Sequence, residues 1–421
     1  MSLTNIEPGR PAPTGSPRIA PTSDRGRRTG TFVLLVVLLG LALAVSGLPS
    51  PLYGTYAADW QLSPLTLTVV FAVYAVAALA AILVTGPVTD VVGRKPALLV
   101  SAAGMLVGLV VFMTAGGVAE LIVARIIHGL SIGTAVVAGG AALLDIRPDT
   151  GARSGKITGI AFNLGMFAGI FGCALLAQLL PHPLVTPYAV VAVLTAVLLA
   201  ALTLMPETHT ARIRGRVQLA RPSVPVAIRS DFWFAATGAG ASWVLLGVYL
   251  SLVPGLAAAE TGRYQLVFTG GVVAAFALAS AAAQIVAGGL GAARTAIVGD
   301  VGLALSLLVS IPLLLTHSVT GSMIGSALVG VFFGMAFSGS LRHLSHVIPP
   351  AQRGSVMSAF YLTSYTAMAV PAVLAGAAAT VWSLPATYVG FAIAVAVSCA
   401  AATILGARSM LASASTANAA S

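Results

Sequence analysis

Apolar residues in this chain come in long runs separated by short polar intervals. They show neither the alternation of a half-buried strand nor the one-sided stripe of a surface helix. Each run is about 20 residues, the length at which a helix crosses the hydrocarbon of a bilayer, and lipid tolerates only backbone that pairs its own amides. Six runs occupy Thr31–Tyr56, Leu67–Val88, Pro96–Thr114, Val118–Leu144, Ile157–Leu180 and Leu184–Leu204. Six more occupy Phe232–Val253, Tyr264–Val286, Ala296–Leu315, Val319–Leu341, Ser355–Val381 and Leu384–Leu405. The pattern predicts an all-α membrane protein with twelve transmembrane helices.

The polar intervals set the organisation. Residues 1–30 mix Pro, Ser and Thr with Arg10, Arg18, Arg25, Arg27 and Arg28, too polar to order themselves, and read as a disordered cytosolic tail. The long first run, with no cleavage site after it, argues against a removed signal peptide. Residues 31–205 form an N-terminal six-helix bundle, 206–231 an arginine- and proline-bearing linker, 232–406 a C-terminal six-helix bundle and 407–421 a second tail. With the first tail in the cytosol, all 21 lysines and arginines except Arg125 and Arg263 fall on the cytosolic side. That asymmetry predicts a multi-pass protein of the cell membrane, the inner membrane of a bacterium, with both termini and the linker cytosolic.

Composition closes off other classes. The chain is 58% apolar and 8% charged, against roughly 25% charged for a soluble domain. Its net charge of +10 is dispersed between apolar runs rather than gathered with aromatics, which excludes nucleic acid as a partner. Cys173 and Cys399 lie far apart inside apolar runs and form neither a disulfide framework nor a metal site. No nucleophile elbow, phosphate loop or metal-spaced histidine pair is present, so no enzymatic activity, metal or cofactor is expected.

The two halves repeat. Gly129, Gly133 and Pro148 fall opposite Gly330, Gly334 and Pro349 at one constant offset, and Pro51, Gly86 and Arg153 fall opposite Pro254, Gly288 and Arg353 at nearly the same one. Shared landmarks in shared order predict two pseudo-symmetric bundles, an arrangement that places a substrate between halves near the bilayer midplane.

Between the second and third runs stands Gly86-Pro-Val-Thr-Asp90-Val-Val-Gly93-Arg94-Lys95. Gly86 permits close helix approach, Gly93 a tight turn, and Asp90 can pair with Arg94. This segment resembles the loop signature G-x-x-x-D-x-x-G-R-[KR] of the major facilitator superfamily at every defined position. The resemblance implies the major facilitator fold, transport of a small-molecule substrate, and a loop that locks the bundles together on the cytosolic side. Asp145 resembles the family's acidic partner of the motif arginine, and Pro206-Glu207-Thr208 a common family ending of the sixth span.

The fourth run carries Arg125-Ile-Ile-His128-Gly129, similar to the family's R-x-x-x-G motif. A buried arginine costs about 2.5–3.5 kcal/mol on insertion scales, so it is expected to serve function. Ser326 and Val329 stand at the matching places of the second half, so the fold does not require the charges. Arg125, His128 and Glu120 are therefore the proton-coupling candidates, alongside the reading of His128 as a core histidine. Asp300 has no counterpart in the first half and is expected to pair with Arg294 or bind a cation. The fifth run, Asn163-Leu-Gly165-Met-Phe-Ala-Gly169-Ile170-Phe-Gly172-Cys173, resembles the family's antiporter motif, with Ile170 in place of its proline and Cys173 and Ala174 in place of its paired glycines.

The spans hold few amides, so a sugar is a poor substrate. The candidate cavity residues are Tyr53, Tyr74, Asn163, Trp243, Tyr249, Gln284, Tyr361 and Tyr365, an apolar and aromatic set. The sequence thus points to a monomeric secondary transporter, proton-coupled and resembling bacterial drug or metabolite efflux members. Its expected partners are a small-molecule substrate, protons and membrane lipid. Uptake by the same fold is the alternative, and a non-transporting receptor fits the intact loop signature poorly.

Overall fold

The computed structural model describes residues 22–146, 151–209, 221–349 and 352–419. The tail before residue 22, Arg147 and Pro148, and the linker arginines Arg212, Arg214 and Arg216 lie outside the described residues. Among the described residues every regular element is helical. The first half runs α1 Thr22–Gly47, α2 Tyr53–Trp60, α3 Pro64–Val92, α4 Arg94–Met113, α5 Val118–Ile146, α6 Gly151–Leu179 and α7 Thr186–Thr203. The second half runs α8 Arg229–Ser251, α9 Val253–Thr261, α10 Leu266–Ala287, α11 Ala292–Leu315, α12 Val319–Val347, α13 Arg353–Val381 and α14 Leu384–Ala419. Twelve segments among the described residues are long and apolar enough to span a membrane, α1 and α2 together forming the first.

Two ends extend beyond the predicted limits. Helix α1 begins at Thr22, inside the stretch expected to be a disordered tail, and α14 continues to Ala419, past the end expected at 406. Hydropathy locates the apolar stretch of a helix. Nothing at the membrane surface stops the backbone from winding on through residues without proline.

The repeat is visible as matched local structure. Each half opens with a long helix interrupted near a proline, Pro51 within the turn Ser50–Leu52 and Pro254 in the first turn of α9. Proline is tolerated there because the first amides of a helix have no partner to lose. The short helices α2 and α9 both end on a left-handed residue, Gln61 at φ 53° and Gly262 at φ 67°.

The matched glycines are seams. A side chain on Gly129 or Gly133 of α5 would collide with the Tyr74 and Ala78 carbonyls of α3, and one on Gly330 or Gly334 of α12 with the Phe276 and Ser280 carbonyls of α10. Small residues let helix backbones approach closely, which is how helices associate where lipid provides no hydrophobic drive. The same device lays Gly165 and Gly169 of α6 on the Gly40 and Ala44 carbonyls of α1. Two glycines of the antiporter-like segment, Gly165 and Gly169, are thereby explained as packing, while Gly172 faces open space.

The bundles join along α3 with α13 and α6 with α10. Ser50 Oγ donates to the Leu250 carbonyl at 2.7 Å and the Val267 amide donates to Gln178 Oε1 at 2.8 Å, both at the ends remote from the α3–α4 loop. On that remote side Gly376 also packs against Thr68, and Gly270 against Ala174 and Pro51.

Candidate functional site

Gly93 alone separates α3 from α4 and adopts φ 108°, a conformation open to glycine and strained for any side chain. The sharp turn folds Arg94 back into a cluster of acids. Its guanidinium meets Asp90 at 2.8 Å and Asp145 at 3.4 Å and donates to the Thr89 hydroxyl, and its side chain is 9% exposed. His209 lies 3.8 Å from Asp145. The exposed first amides of α4 find an anion in Glu207, which accepts from the Arg94 amide at 2.9 Å and the Lys95 amide at 3.2 Å. Lys95 Nζ donates to the Thr203 carbonyl at 2.7 Å. Burial pushes the Glu207 carboxyl up, but four backbone amides, those of His209, Arg94, Lys95 and Thr208, outweigh it and hold the group below its ordinary range.

Asp90, Arg94 and Asp145 thus meet, with Gly93 at the turn, Gly86 one turn earlier on α3 and Lys95 turned to the end of α7. Among the described residues no contact joins this cluster to the start of α13. The cluster's described partners are all in the first half, Arg353 is exposed, and the Ser355 carbonyl instead accepts from the linker amide of Ser223 at 3.3 Å. Glu207 is the residue that sequence reasoning undervalued. Its signal was a three-residue resemblance, and its role depends on α7 ending beside the start of α4.

Arg125 is 1% exposed and is wrapped rather than paired. It donates to the Tyr53 hydroxyl from two nitrogens and to the Ser46 carbonyl at 3.1 Å, and it faces the rings of Tyr53 and Tyr74, each 5.4 Å away, and Phe112 at 5.9 Å. Ser46 in turn donates to the Tyr74 hydroxyl at 2.8 Å. Tyr53 and Tyr74, expected in a cavity, are instead part of the shell around a buried cation, whose charge their rings and the Tyr53 hydroxyl help to hold.

The other coupling candidates separate from it. Glu120 is exposed on the first turn of α5 and forms no ion pair with Arg125. His128 turns to α4, its ring 5.1 Å from Phe112 and against Gly108. It is fully buried, and although the Met105 backbone is near, neither ring nitrogen makes a hydrogen bond of acceptable geometry. Its surroundings are those of a packed core histidine. Asp300, also fully buried, does not pair with Arg294, which is exposed at the start of α11.

The remaining cavity candidates divide. Tyr249 lies inside the second bundle, stacked on Phe276 at 4.7 Å. Trp243, Tyr361 and Tyr365 form one aromatic face against the core that joins the bundles, Trp243 lying edge-on to Tyr365 at 4.6 Å and near Phe337 at 5.8 Å. Asn163 and Gln284 come to a common seam of α6 and α10 around Gly159. Asn163 Nδ2 donates to the Gly159 carbonyl at 2.8 Å, and Gln284 Oε1 lies 3.4 Å from where a Gly159 side chain would begin.

The sequence model of the Major Facilitator Superfamily matches residues 35–290. The chain belongs to this superfamily. Among solved structures it is similar to the human organic anion transporter MFSD10 (TETRAN), at 17% identity with a TM-score of 0.66, over 90% of this chain and 99% of that one. It is likewise similar to a point mutant of the nucleoside transporter NupG, at 12% identity with a TM-score of 0.69, over 89% of this chain and 99% of that one. At those identities the likeness concerns the fold. As a major facilitator protein the chain is a multi-pass membrane transporter of a small molecule and not an enzyme.

Proposed function

We propose that this transporter exports small, moderately lipophilic organic molecules in exchange for protons, as in drug or metabolite efflux. The observation that carries the substrate class is the aromatic face of Trp243, Tyr361 and Tyr365 at the bundle interface, with Asn163 and Gln284 at the α6–α10 seam as the amides. Such a face binds flat apolar bodies and lacks the many hydrogen-bonding groups that a sugar requires. Arg125 is a fixed cation in this reading, wrapped so that its charge persists throughout the cycle. The α3–α4 cluster is the lock of the alternate, outward-facing form, formed when Asp90 and Arg94 meet the start of α13.

Proteoliposomes with an imposed pH gradient test this. Aromatic dye-like cations should move against the proton flow, and an uncoupler should abolish the movement. Movement with the proton flow would make the protein an uptake carrier, and indifference to the gradient would overturn the coupling. For the orientation, with both termini in the cytosol of a cell membrane, single cysteines at Ser223 and His317 should label from opposite sides. Labelling of both from one side would overturn it.

A further inference from the structure

The second bundle buries a carboxyl that nothing described so far uses. Asp300 sits on α11 eight residues from its start, about 12 Å along the helix axis. It is 0% exposed, and neither carboxyl oxygen has a hydrogen-bond partner. The Ser340 hydroxyl of α12 is also 0% exposed and unpartnered. Both groups surround one point. The place where a side chain on Gly238 of α8 would begin lies 2.8 and 2.9 Å from the two Asp300 oxygens and 3.0 Å from Ser340 Oγ. Glycine at 238 therefore leaves open a small polar cradle between three helices. An ionised carboxylate without donor or counter-ion in such a place costs several kcal/mol.

The groups facing Asp300 are few. From α8 there is Gly238, whose carbonyl accepts from the Ser242 hydroxyl at 3.0 Å; from α12 there is Ser340; and from α14 there is the buried Cys399. One turn beyond Ser340 on α12, and two turns before Gly238 on α8, His343 Nε2 meets Asp231 Oδ1 at 2.9 Å. That pair is partly exposed, at 16% and 24% of the side chains, near the α3–α4 loop side. A hard metal cation takes six or more oxygens, and the cradle offers three from side chains. A proton needs one.

We propose that Asp300, with Ser340 beside it and the Asp231–His343 pair between it and the surface, is a proton-binding site of the C-terminal bundle. Its place in transport rests on the proton-coupled reading above. In the exchange reading the proton reaches Asp300 while the site is open to the opposite side, bonds to a carboxyl oxygen, and leaves past the Asp231–His343 pair to water on the α3–α4 loop side. Binding makes a buried charge neutral, so occupancy sets the cost of packing α8 against α11 and α12.

Dicyclohexylcarbodiimide, which adds to protonated carboxyls in apolar surroundings, is the probe, applied to the full-length protein in detergent and read by peptide mass spectrometry. The expected result is an adduct on Asp300 that is lost at alkaline pH, equal in sodium chloride and choline chloride, and absent from Asp300→Asn. Ser340→Ala removes a hydroxyl that makes no hydrogen bond here, so it is expected to fold; because that hydroxyl can turn to donate to the ionised carboxylate, its loss should move the fall in adduct formation to higher pH. No adduct on Asp300 at any pH, protection by sodium, or an unmoved profile in Ser340→Ala would each overturn the site. An adduct in a protein whose flux ignores the gradient would uphold the site and overturn the coupling, and gradient-driven flux without an adduct would do the reverse.

Discussion

The two bundles share a frame and differ in what they bury. In the first, Ser46, Tyr74 and Arg125 form a connected polar knot. At the matching places of the second stand Tyr249, Phe276 and Ser326, where Tyr249 stacks on Phe276 at 4.7 Å and Phe276 meets Phe333 in a tilted contact at 4.8 Å. Conversely, the place matching Asp300 falls at Leu98 in the first bundle, a fully buried leucine. Glycine seams position the helices in both halves, so the charges are additions that the frame accepts without needing them. The additions also differ in kind. Arg125 is surrounded by neutral acceptors and π faces, whereas Asp300 has none of its hydrogen bonds made.

Removing the fixed cation should break this comparison most visibly. Arg125→Met leaves the Tyr53 hydroxyl and the Ser46 carbonyl without a donor, a loss of about 1–3 kcal/mol for each buried group. Transport is expected to be lost, and Arg125→Lys to recover little of it, since a compact ammonium cannot reach Tyr53 and Ser46 together while lying between two rings. Flux equal to wild type in Arg125→Met would reduce the residue to packing.

The frame itself predicts an effect of equal size in both halves. Gly129→Val and Gly330→Val each drive a branched side chain into a facing carbonyl and should each lower stability by about 1–3 kcal/mol, read as matched falls in Tm. If one is tolerated and the other is not, the seams are not equivalent.

The smallest effect sharpens the N-terminal side. Glu207 is held below its ordinary value of 4.5 when folded, so its contribution to stability is present above that pH and disappears as pH falls through the lower folded value. Glu207→Gln should cost about 1 kcal/mol at neutral pH, given its partial exposure, and nothing in strong acid. A Tm difference that persists in strong acid would show that packing, not charge, holds the α4–α7 contact.

Spans, repeat and loop cluster were legible because each rests on local or periodic information: run length, a constant offset, and a motif whose members lie within ten residues. The position of Arg125 within a span was legible, but its company was not. Which side chains wrap it depends on how α1, α3 and α4 surround α5, and no spacing within one helix reports that. The same limit explains His128, three residues away yet facing another helix, and Glu207, distant in sequence from the amides that it caps.

Gly93 leaves no slack. Helix α3 ends at Val92 and α4 begins at Arg94, so a displacement of one is passed directly to the other. Glu207, gripped by the first amides of α4, carries it on to the segment following α7. The three helices act as a crank with a stiff elbow, driven where α3 lies along α13 and delivering its stroke where the inter-bundle linker begins. A residue inserted beside Gly93 would put slack in that elbow and is expected to lower flux while leaving the aromatic face intact.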